Sequence, residues 1–600
     1  MNILLTAINA KYIHSNLAVY SLRACAGEYR DAVELAEYTI NNQKDYILEE
    51  LYKRKPDVLC FSCYIWNIDY VTDIAREYKK LCPSVPIWVG GPEVSYEVEA
   101  FLRENPYIDG VMIGEGEDTF RELCGYYHAN PDMDNVNASK KLADISGIAF
   151  RDDNGSVIFT PVRPIKNMSE IPFCYDTLDD FSNRIIYYES SRGCPFSCSY
   201  CLSSVDKTLR FRDTGIVKRE LKFFIDQKVP QIKFVDRTFN CNHAHAMELW
   251  RFIKANDNGV TNFHFEISAD LLNQEELELI SDMRPGLIQL EIGVQSTNEV
   301  TIKEIHRTMK LERLKEVVRL IQSGNNIHEH LDLIAGLPYE DYDSFGRSFD
   351  EIYELKPNQL QLGFLKVLKG SYMFEHAAEY GIVYHDKPPY EVMSTKWLSF
   401  DDVIKIKRVE EMLEVYYNSG QFEITMKLME CIFDSAFEFF QELGDFYEAN
   451  GYFGMSHSRI RRCEILLEFL ALYLHGCDSD AMTSVGLSEN AGDRDNTDFD
   501  ENAQIYSMIQ ESLIFDLYYR ENCKSRPVWA TDIGSFKHMT HAYCKNGKLS
   551  HVEPFHYIFP DKHTRKLDEL PKYHKEPVWA LFHYDMRDPL DHQAMVEYVE

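Results

Sequence analysis

Three cysteines lie within eight residues, in the segment ESSRGCPFSCSYCLSS that runs from Glu189 to Ser204. Cys194, Cys198 and Cys201 are separated by three and then by two residues, and the nearby glycine and proline keep the segment from forming a simple helix. A loop with this spacing can wrap three thiolates around one centre. Because thiolate sulfur is a soft ligand, the spacing indicates an iron–sulfur cluster, a zinc site or a copper(I) site.

The fourth cysteine that would complete a ferredoxin-type cluster or a structural zinc site is missing from this segment. His243 or His245 could close a zinc shell, but both fall in the helical pattern NHAHAMELW, which favours ordinary helix histidines. The site therefore keeps one coordination position open. An open iron can chelate a ligand that carries adjacent amino and carboxylate groups. Most of the other cysteines sit singly in apolar segments, as reduced core cysteines do.

The composition is that of an acidic globular protein of 600 residues with a formal net charge of −33. An acidic surface repels phosphate backbones and anionic lipids, so we expect no nucleic-acid partner and no membrane partner. The N-terminus lacks a basic leader, and no run of 18 apolar residues occurs in the chain. These features predict a cytoplasmic protein.

The first 135 residues alternate strand-like apolar runs with amphipathic helical segments. The runs NILLTAI, VELAEYTI, VLCFSCYI, PIWVGG and IDGVMIG predict a doubly wound, Rossmann-like parallel sheet over residues 1–135. A hairpin with Asn154-Gly155 at its turn and a polar, proline-containing connector follow over residues 136–184.

A second alternation begins near residue 185 and contains six strand candidates. Six strand–helix steps over residues 185–370 predict a partial (β/α)6 barrel of the TIM type. Residues 371–600 are mostly helical, with an acidic loop at 478–501 and strand-like runs near the end. We expect this C-terminal domain to cover the mouth of the barrel and to exclude solvent.

The motif C-x3-C-x2-C directly after the first barrel strand, with Tyr200 before its last cysteine, resembles the radical S-adenosylmethionine (SAM) superfamily. Three later segments, KFVDRTFN, LEIGVQS and DLIAGLPYE, follow in the order that this superfamily implies. The resemblance implies a 4Fe-4S cluster on the three cysteines. It also implies SAM contacts from the following residues: Tyr200, Asp236, Ser268, Glu291, Gln295 and Gly336.

The first domain carries two glycine-rich turns, VGGPEVS and IGEGEDTF, at the carboxyl ends of predicted strands. Glycines at such ends let a large flat ligand approach the backbone, although tight turns alone would also explain them. Together with the cysteine motif, they resemble the cobalamin-binding class of radical SAM enzymes. That class implies cobalamin contacts from Gly90, Gly91, Pro92, Glu93, Gly114, Glu115, Gly116 and Glu117.

One departure from cobalamin mutases is the absence of the D-x-H-x-x-G signature that supplies an axial histidine. We therefore expect cobalamin to bind without a protein imidazole, with Ser62, Tyr64, Trp66 and Asn67 packing on its lower face. The resemblance covers about residues 1–370, and the rest resembles a C-terminal domain of uncharacterised function that accompanies some members.

The resemblance implies reductive cleavage of SAM to a 5′-deoxyadenosyl radical and methyl transfer to an unactivated carbon of a small-molecule or peptide substrate. An electron donor such as flavodoxin or ferredoxin is also implied. Three alternatives remain open: a cobalamin-dependent rearrangement, cyclisation or redox reaction; a methylthiotransferase-like enzyme without cobalamin; and a non-catalytic iron–sulfur or zinc protein.

Overall fold

The computed structural model describes all residues except 131–140, 153, 182, 476–500, 545–548, 561–563, 565, 568 and 600. The acidic loop predicted at 478–501 lies outside the described residues, apart from Glu501, which begins a helix. No helix in the described part of the chain combines the length and the apolar character that crossing a bilayer requires.

Within the described residues, seven strands and five helices can be delimited in the N-terminal domain. The strands are β1 (Ile3–Asn9), β2 (Val33–Thr39), β3 (Val58–Ser62), β4 (Ile87–Gly90), β5 (Gly110–Met112), β6 (Ile148–Arg151) and β7 (Val157–Phe159). The helices are α1 (Leu17–Cys25), α2 (Lys44–Arg54), α3 (Ile68–Leu81), α4 (Val98–Glu104) and α5 (Glu117–Ala129).

These seven strands form one sheet in the order β2-β1-β3-β4-β5-β6-β7. β1 to β5 are parallel, and the predicted hairpin adds β6 and β7 in antiparallel fashion to the edge of β5. The hairpin, which the sequence assigned to the connector, therefore extends the first sheet. Because the strand order reverses between β1 and β3, a crevice opens beyond the carboxyl ends of these two strands.

The second domain contains a sheet of six parallel strands and a separate pair of short antiparallel strands. The strands are β8 (Ile186–Tyr188), β9 (Ser191–Arg192), β10 (Arg210–Phe211), β11 (Gln231–Phe234), β12 (Asn262–Ile267), β13 (Ile288–Gln295), β14 (His328–Ala335) and β15 (Gln359–Phe364). The helices are α6 (Thr214–Asp226), α7 (His243–Ala255), α8 (Gln274–Ser281), α9 (Glu299–Glu304), α10 (Leu311–Ser323) and α11 (Tyr342–Tyr353).

The six parallel strands lie in the order β15-β14-β13-β12-β11-β8, as a partial barrel requires. Residues alternate along each strand between a buried outer set, which packs on the helices, and a less buried inner set. The inner set is rich in ionisable side chains, which are Lys233, His264, Glu266, Glu291, His328, His330 and Asp332. The predicted α/β architecture and partial barrel are confirmed.

The C-terminal domain is mainly helical and ends in a small antiparallel sheet. Its helices are α12 (Tyr372–His376), α13 (Phe400–Leu413), α14 (Glu423–Ile432), α15 (Ala436–Ala449), α16 (Arg459–His475), α17 (Glu501–Arg520) and α18 (Lys537–Tyr543). Its strands are β16 (Val383–Tyr384), β17 (Val392–Ser394), β18 (Ser550–Tyr557), β19 (Tyr573–Arg587) and β20 (Ala594–Val599).

One continuous apolar core joins this domain to the barrel. The ring of Phe437 on α15 packs on Tyr342 and Phe349 of α11, with ring centroids 5.3 and 5.4 Å apart. Gly346 provides the space, since a Cβ there would lie 2.8 Å from the Phe437 ring. The helical bundle thus stabilises the barrel from its outer, helical side.

A different part of the C-terminal domain reaches the cysteine loop and the first domain. The backbone N–H of Met373 donates to the carbonyl of Ser199, between two of the cysteines, over 2.9 Å. The hydroxyl of Tyr390 donates to the carboxylate of Glu93. The segment from 366 to 399, rather than the aromatic bundle, is therefore the part of the C-terminal region that contacts the cysteine loop.

Both outer edges of the barrel sheet are covered by other domains. At β8, the N–H of Ile185 donates to the carbonyl of Ile13 over 2.8 Å, and residues 14 and 185 form a parallel bridge. At β15, the side-chain amide of Asn418 accepts from the N–H of Leu360 over 3.0 Å and donates to its carbonyl over 2.7 Å. The side chain replaces the backbone partners of a seventh strand.

We expect the substitution Asn418→Ala to lower the free energy of unfolding by about 1–3 kcal/mol, because it leaves two buried backbone groups of the edge strand without partners. Chemical denaturation followed by tryptophan fluorescence measures the change. Asn450→Ala is the matched control, since that side chain donates to a carbonyl at an exposed helix end. Equal stability of the two variants would contradict the role of Asn418 at the edge.

Candidate functional site

A cavity of about 720 Å³ lies between the carboxyl edge of the first sheet and the mouth of the barrel. Its size is within the range of pockets that bind cofactors and small molecules. The following predicted cobalamin contacts line it: Ser62, Tyr64, Trp66, Gly90, Gly91, Gly114, Glu115, Gly116 and Glu117. The turns after β3, β4 and β5 thus meet in one wall, as strand-end positions in a parallel sheet should.

The other three predicted cobalamin contacts lie outside this wall. Asn67 is buried and donates to the carbonyls of Ile8 and Ser62 over 2.9 Å each, so it ties the ends of β1 and β3 together. Pro92 is exposed, and Glu93 is bonded to the C-terminal domain through Tyr390. A turn in sequence does not reveal which of its residues face the cavity and which face a neighbouring domain.

The glycines of the wall have different structural reasons. Gly91 has φ +123°, and a Cβ there would lie 2.3 Å from the carbonyl oxygen of Cys63, so the fold itself requires glycine. Gly114 has φ +76°, and no atom lies within 4 Å of the position its Cβ would take. The backbone at Gly114 is therefore open to the cavity, as a site for a flat ligand needs.

An aromatic pair and a histidine complete the side of the wall near β1 and β3. The rings of Tyr64 and Trp66 stack with centroids 4.4 Å apart, and the Trp66 indole donates to the carbonyl of Ile8 over 3.1 Å. His14, which sequence reasoning missed, also lines the cavity. Its Nδ1 lies 2.7 Å from the hydroxyl of Tyr187 in β8, which holds the imidazole toward the barrel.

Arg192, two residues before Cys194, joins the cysteine loop to the glycine turns. Its guanidinium lies 2.5 Å from Glu117, 2.9 Å from Glu189 and 3.4 Å from Glu115. Although burial opposes the charged form, these carboxylates raise the pKa of Arg192 above its usual value. The predicted contacts Glu115 and Glu117 therefore fix the distance between the first domain and the cluster loop.

The cysteine loop folds as an irregular segment held by backbone bonds. Cys194 and Cys198 are buried and Cys201 is half-buried. Gly193 has φ +85°, and a Cβ there would lie 2.6 Å from the carbonyl of Thr208, so glycine is needed where the loop turns. Within the described residues, no three His, Cys, Asp or Glu side chains converge as ligands of a single metal ion. A 4Fe-4S cluster does not require such convergence, because each cysteine binds a different iron.

Arg307 is a second residue that the sequence did not single out. It is half-buried beside the loop, where its guanidinium lies 3.1 Å from the hydroxyl of Tyr200 and 3.8 Å from the sulfur of Cys198. It also donates to the carbonyl of Gly293 at the end of the fourth barrel strand. A cation at this place stabilises thiolate and carboxylate groups, which are the groups that a cluster with bound SAM would present.

Asp236, a predicted SAM contact, lies fully buried just after β11, with protein partners for its carboxylate. Its carboxylate accepts from the backbone and hydroxyl of Ser190 and from the hydroxyl of Ser191, over 2.6–2.9 Å. Burial raises the pKa of Asp236 to about 6. His245 also bonds to Ser190, over 3.0 Å, and burial lowers its pKa to about 4. This network fixes the strand end that leads into the cysteine loop.

The other predicted SAM contacts differ in how open they are. Gln295 has φ +76°, and its buried side-chain oxygen has no hydrogen-bond partner among the described residues, which is typical of a ligand-binding position. The hydroxyl of Ser268 donates to Asp270 over 2.8 Å. Gly336 is covered by Val392, whose Cγ1 lies 2.6 Å from the position of a Cβ.

Glu291 takes part in an ionic cluster inside the barrel. Its carboxylate lies 2.9 Å from Lys233 on β11 and 2.9 Å from His264 on β12. Burial opposes ionisation, but these two partners outweigh it and hold the pKa of Glu291 at about 2. The predicted SAM contact at Glu291 is therefore satisfied within the protein, and it links three neighbouring strands.

The depressed pKa of Glu291 predicts an acid-sensitive contribution to stability. Because its folded pKa is below the unfolded value near 4.3, the contribution of up to about 3 kcal/mol is present above pH 4–5 and is lost as the pH falls toward 2. We expect Glu291→Gln to be less stable than wild type at pH 7, and the difference to shrink below pH 4. Denaturation at several pH values measures this, with exposed Glu299→Gln as the control. A pH-independent difference would contradict the assignment.

Comparison with protein families divides the chain into three parts. Residues 3–124 match the B12 binding domain, residues 188–352 match the radical SAM superfamily, and residues 378–595 match a family described as a protein of unknown function, DUF4080. The chain thus carries the two cofactor-binding domains and the uncharacterised C-terminal domain that the sequence predicted, and that resemblance is confirmed.

Curated relatives match about half of the chain. A 2-(S-pantetheinyl)-carbapenam-3-carboxylate methyltransferase of Streptantibioticus cattleyicolor is 26% identical over 50% of this chain and 45% of its own. The cobalamin-dependent radical SAM methyltransferase TokK of Streptomyces tokunonensis is 26% identical over 55% and 49%. An anaerobic magnesium-protoporphyrin IX monomethyl ester cyclase of Rubrivivax gelatinosus is 23% identical over 56% and 60%. The chain spans about half the length of these relatives.

Solved structures show the same fold at low sequence identity. The radical SAM methyltransferase TsrM of Kitasatospora setae, with cobalamin and a 4Fe-4S cluster, has a TM-score of 0.52 at 17% identity and covers 65% of this chain and 82% of its own. The cobalamin-dependent radical SAM enzyme OxsB has a TM-score of 0.53 at 15% identity and covers 86% and 80%.

Proposed function

We propose that this chain, which combines a B12-binding domain, a radical SAM domain and a DUF4080 domain, is a cobalamin-dependent radical SAM methyltransferase. The observation that carries the proposal is the cavity between the carboxyl ends of two parallel sheets. One wall holds glycine turns that a flat cofactor can approach, and the other leads to the cysteine loop. A substrate between them would meet a methyl donor on one side and a radical source on the other.

The donor set fits the two cofactors. Cys194, Cys198 and Cys201 provide three soft ligands for a cluster with one open iron, and Gln295 offers an unpartnered oxygen near the barrel mouth. Gly114 and the stacked Tyr64 and Trp66 offer an open backbone and a flat surface for cobalamin. When bound, the reduced cluster supplies the electron that cleaves SAM to a 5′-deoxyadenosyl radical, and cobalamin supplies the methyl group.

The protein's own contribution is geometric and protective. Arg192 holds the cluster loop against the turns after β5, so the two cofactor sites keep a fixed separation. The segment 366–399 packs against the cysteine loop through Met373, where it would shield a radical from water. The substrate we propose is a small molecule or a peptide, and cluster reduction would come from flavodoxin or ferredoxin. The strongly negative formal charge of the chain, −33, argues against a nucleic-acid substrate.

The products of SAM test the reaction type. A methyl transfer that draws both its radical and its methyl group from SAM yields 5′-deoxyadenosine and S-adenosylhomocysteine. We expect both products from anaerobically reconstituted protein with cobalamin and a reductant, and only background without the cluster. The relatives named as cyclases favour a ring-forming reaction as the second candidate. Formation of 5′-deoxyadenosine with no S-adenosylhomocysteine would select that candidate, and absence of both would contradict a radical SAM enzyme.

We expect cobalamin to bind without a protein imidazole. His14 is the one histidine among the described residues that line the cavity, and its ring is bonded to Tyr187 of the barrel. The EPR spectrum of cob(II)alamin bound to the protein should therefore show no superhyperfine splitting from a histidine nitrogen. His14→Ala should give the same spectrum. A splitting that disappears in this variant would establish His14 as the axial ligand.

A further inference from the structure

Arg237 stands apart from the other arginines of the cavity. It follows the end of β11, lines the cavity and is exposed to it. Within the described residues, its guanidinium makes no hydrogen bond and no ion pair. By contrast, Arg192 is paired with three carboxylates and Arg212 with Glu220. An unpaired guanidinium facing a cavity is a ready partner for an anion.

The carboxylates that share this cavity do not neutralise Arg237, because each already has a cation. Glu115, Glu117 and Glu189 lie against Arg192, and Glu220 lies against Arg212. The fifth carboxylate, Asp206, lies 2.9 Å from Arg210. Arg237 is therefore the one arginine of the described cavity wall whose charge is not matched by a contacting acid.

The position of Arg237 places it between the two cofactor sites. Its charge acts on Tyr64 in the wall of the first domain and on Glu266 inside the barrel, where it opposes the effect of burial on both pKa values. Its neighbour Thr238 lies 3.7 Å from the sulfur of Cys194, so the cluster loop is one residue away. A group bound at Arg237 would hold a molecule where the radical and the methyl donor meet.

We propose that Arg237 binds an anionic group of the substrate, a carboxylate or a phosphate, and positions the reacting carbon between the two cofactors. This inference rests on the proposed function for the identity of the bound molecule as substrate. Arg307 lies beside Cys198 and Tyr200, and it is the cation that we expect to meet the carboxylate of SAM. Arg237 faces the cavity and remains available to a third molecule.

Anion binding to the holoprotein tests this inference without turnover. Calorimetric titration with inorganic phosphate and with acetate is carried out on protein that contains the cluster, cobalamin and SAM. We expect measurable binding of at least one anion, about tenfold weaker in Arg237→Gln and largely retained in Arg237→Lys. The anion that binds more tightly indicates whether the anionic group of the substrate is a phosphate or a carboxylate. Arg251→Gln, an exposed arginine of another surface groove, is the control and should bind as wild type.

Two results would overturn the assignment. Equal anion binding by wild type and Arg237→Gln would show that the guanidinium is not the anchor. Binding that is present in protein without cofactors but absent from the holoprotein would assign Arg237 to SAM or cobalamin instead of the substrate. Because these titrations need no catalysis, they remain decisive if the reaction is a cyclisation and not a methyl transfer.

A chemical probe gives an independent measurement. Phenylglyoxal modifies free guanidinium groups, and peptide mass spectrometry identifies the modified positions. We expect Arg237 to react faster than the paired Arg192 and Arg212, and the anion that binds more tightly in the titrations, phosphate or acetate, to slow its modification. Equal reactivity of the three arginines, or no protection by either phosphate or acetate, would contradict an accessible anion site.

Discussion

Replacing Cys194, Cys198 and Cys201 together by alanine should remove the iron–sulfur cluster and reduce SAM cleavage to the background of the reaction mixture. All three proposed ligands of the cluster lie in this loop, and no group of three converging His, Cys, Asp or Glu side chains occurs in the described residues to replace them. Iron and sulfide analysis, together with EPR of the reduced protein, measures the loss. The effect is expected to be complete, since a cluster held by fewer ligands is not retained.

Cys241 provides the matched control for this experiment. It lies near enough to Cys194 for the charge of that thiol to raise its pKa, after the larger effect of burial, and it is half-buried. Cys241→Ala should keep the full iron content and the EPR signal of wild type. A full cluster in the triple variant, or loss of the cluster in Cys241→Ala, would show that the ligands have been misassigned.

Arg192→Met should destabilise the contact between the first domain and the barrel by about 3–5 kcal/mol, because it leaves Glu117 and Glu189 without a cation in a largely buried place. Glu115 keeps its ion pair with Arg210. The unfolding free energy of Arg192→Lys should lie between those of Arg192→Met and wild type. An ammonium keeps the charge but cannot donate to three acceptors in a fixed geometry as a guanidinium does. Urea denaturation of the holoprotein measures the change in unfolding free energy.

Arg103→Met serves as the control for Arg192. Arg103 makes an exposed ion pair with Glu99 one helical turn away, and such pairs contribute about 0–1 kcal/mol. The Arg192 variant should also lose affinity for cobalamin, because the turn after β5 would be held against the barrel through Glu115 and Arg210 but no longer through Glu117. If the unfolding free energy of Arg192→Met is within about 1 kcal/mol of the wild-type value, the contact of Arg192 with the three carboxylates does not join the domains.

The sequence predicted the features that depend on local pattern. Strand ends are recognisable from apolar runs followed by glycine, and parallel strands bring their ends to one edge, so Gly90 and Gly114 could be placed in a common cavity before the structure was known. The cysteine motif could also be recognised from local sequence, because its three cysteines are close together in the chain.

Features that depend on partners distant in the chain could not be predicted. Asp236 follows a strand end as a ligand contact should, but the serines that bond to it lie more than 40 residues earlier. Arg307 carries no motif, and its place beside Cys198 follows from the path of the chain after the fourth barrel strand. Burial and pairing of such side chains are tertiary properties, which a linear pattern does not contain.

The covered edges of the barrel sheet also constrain the order in which the chain can complete its fold during synthesis. The N-terminal residues that cover β8 leave the ribosome before the barrel does, so that edge has its partner from the start. The edge at β15 must wait until Asn418 has emerged, 58 residues after the strand position that it covers. In that interval the nascent barrel exposes unpaired backbone groups and the apolar face of α11. The C-terminal domain is therefore part of the folding unit of the barrel. The exposed edge can be covered once residue 418 has emerged from the ribosome.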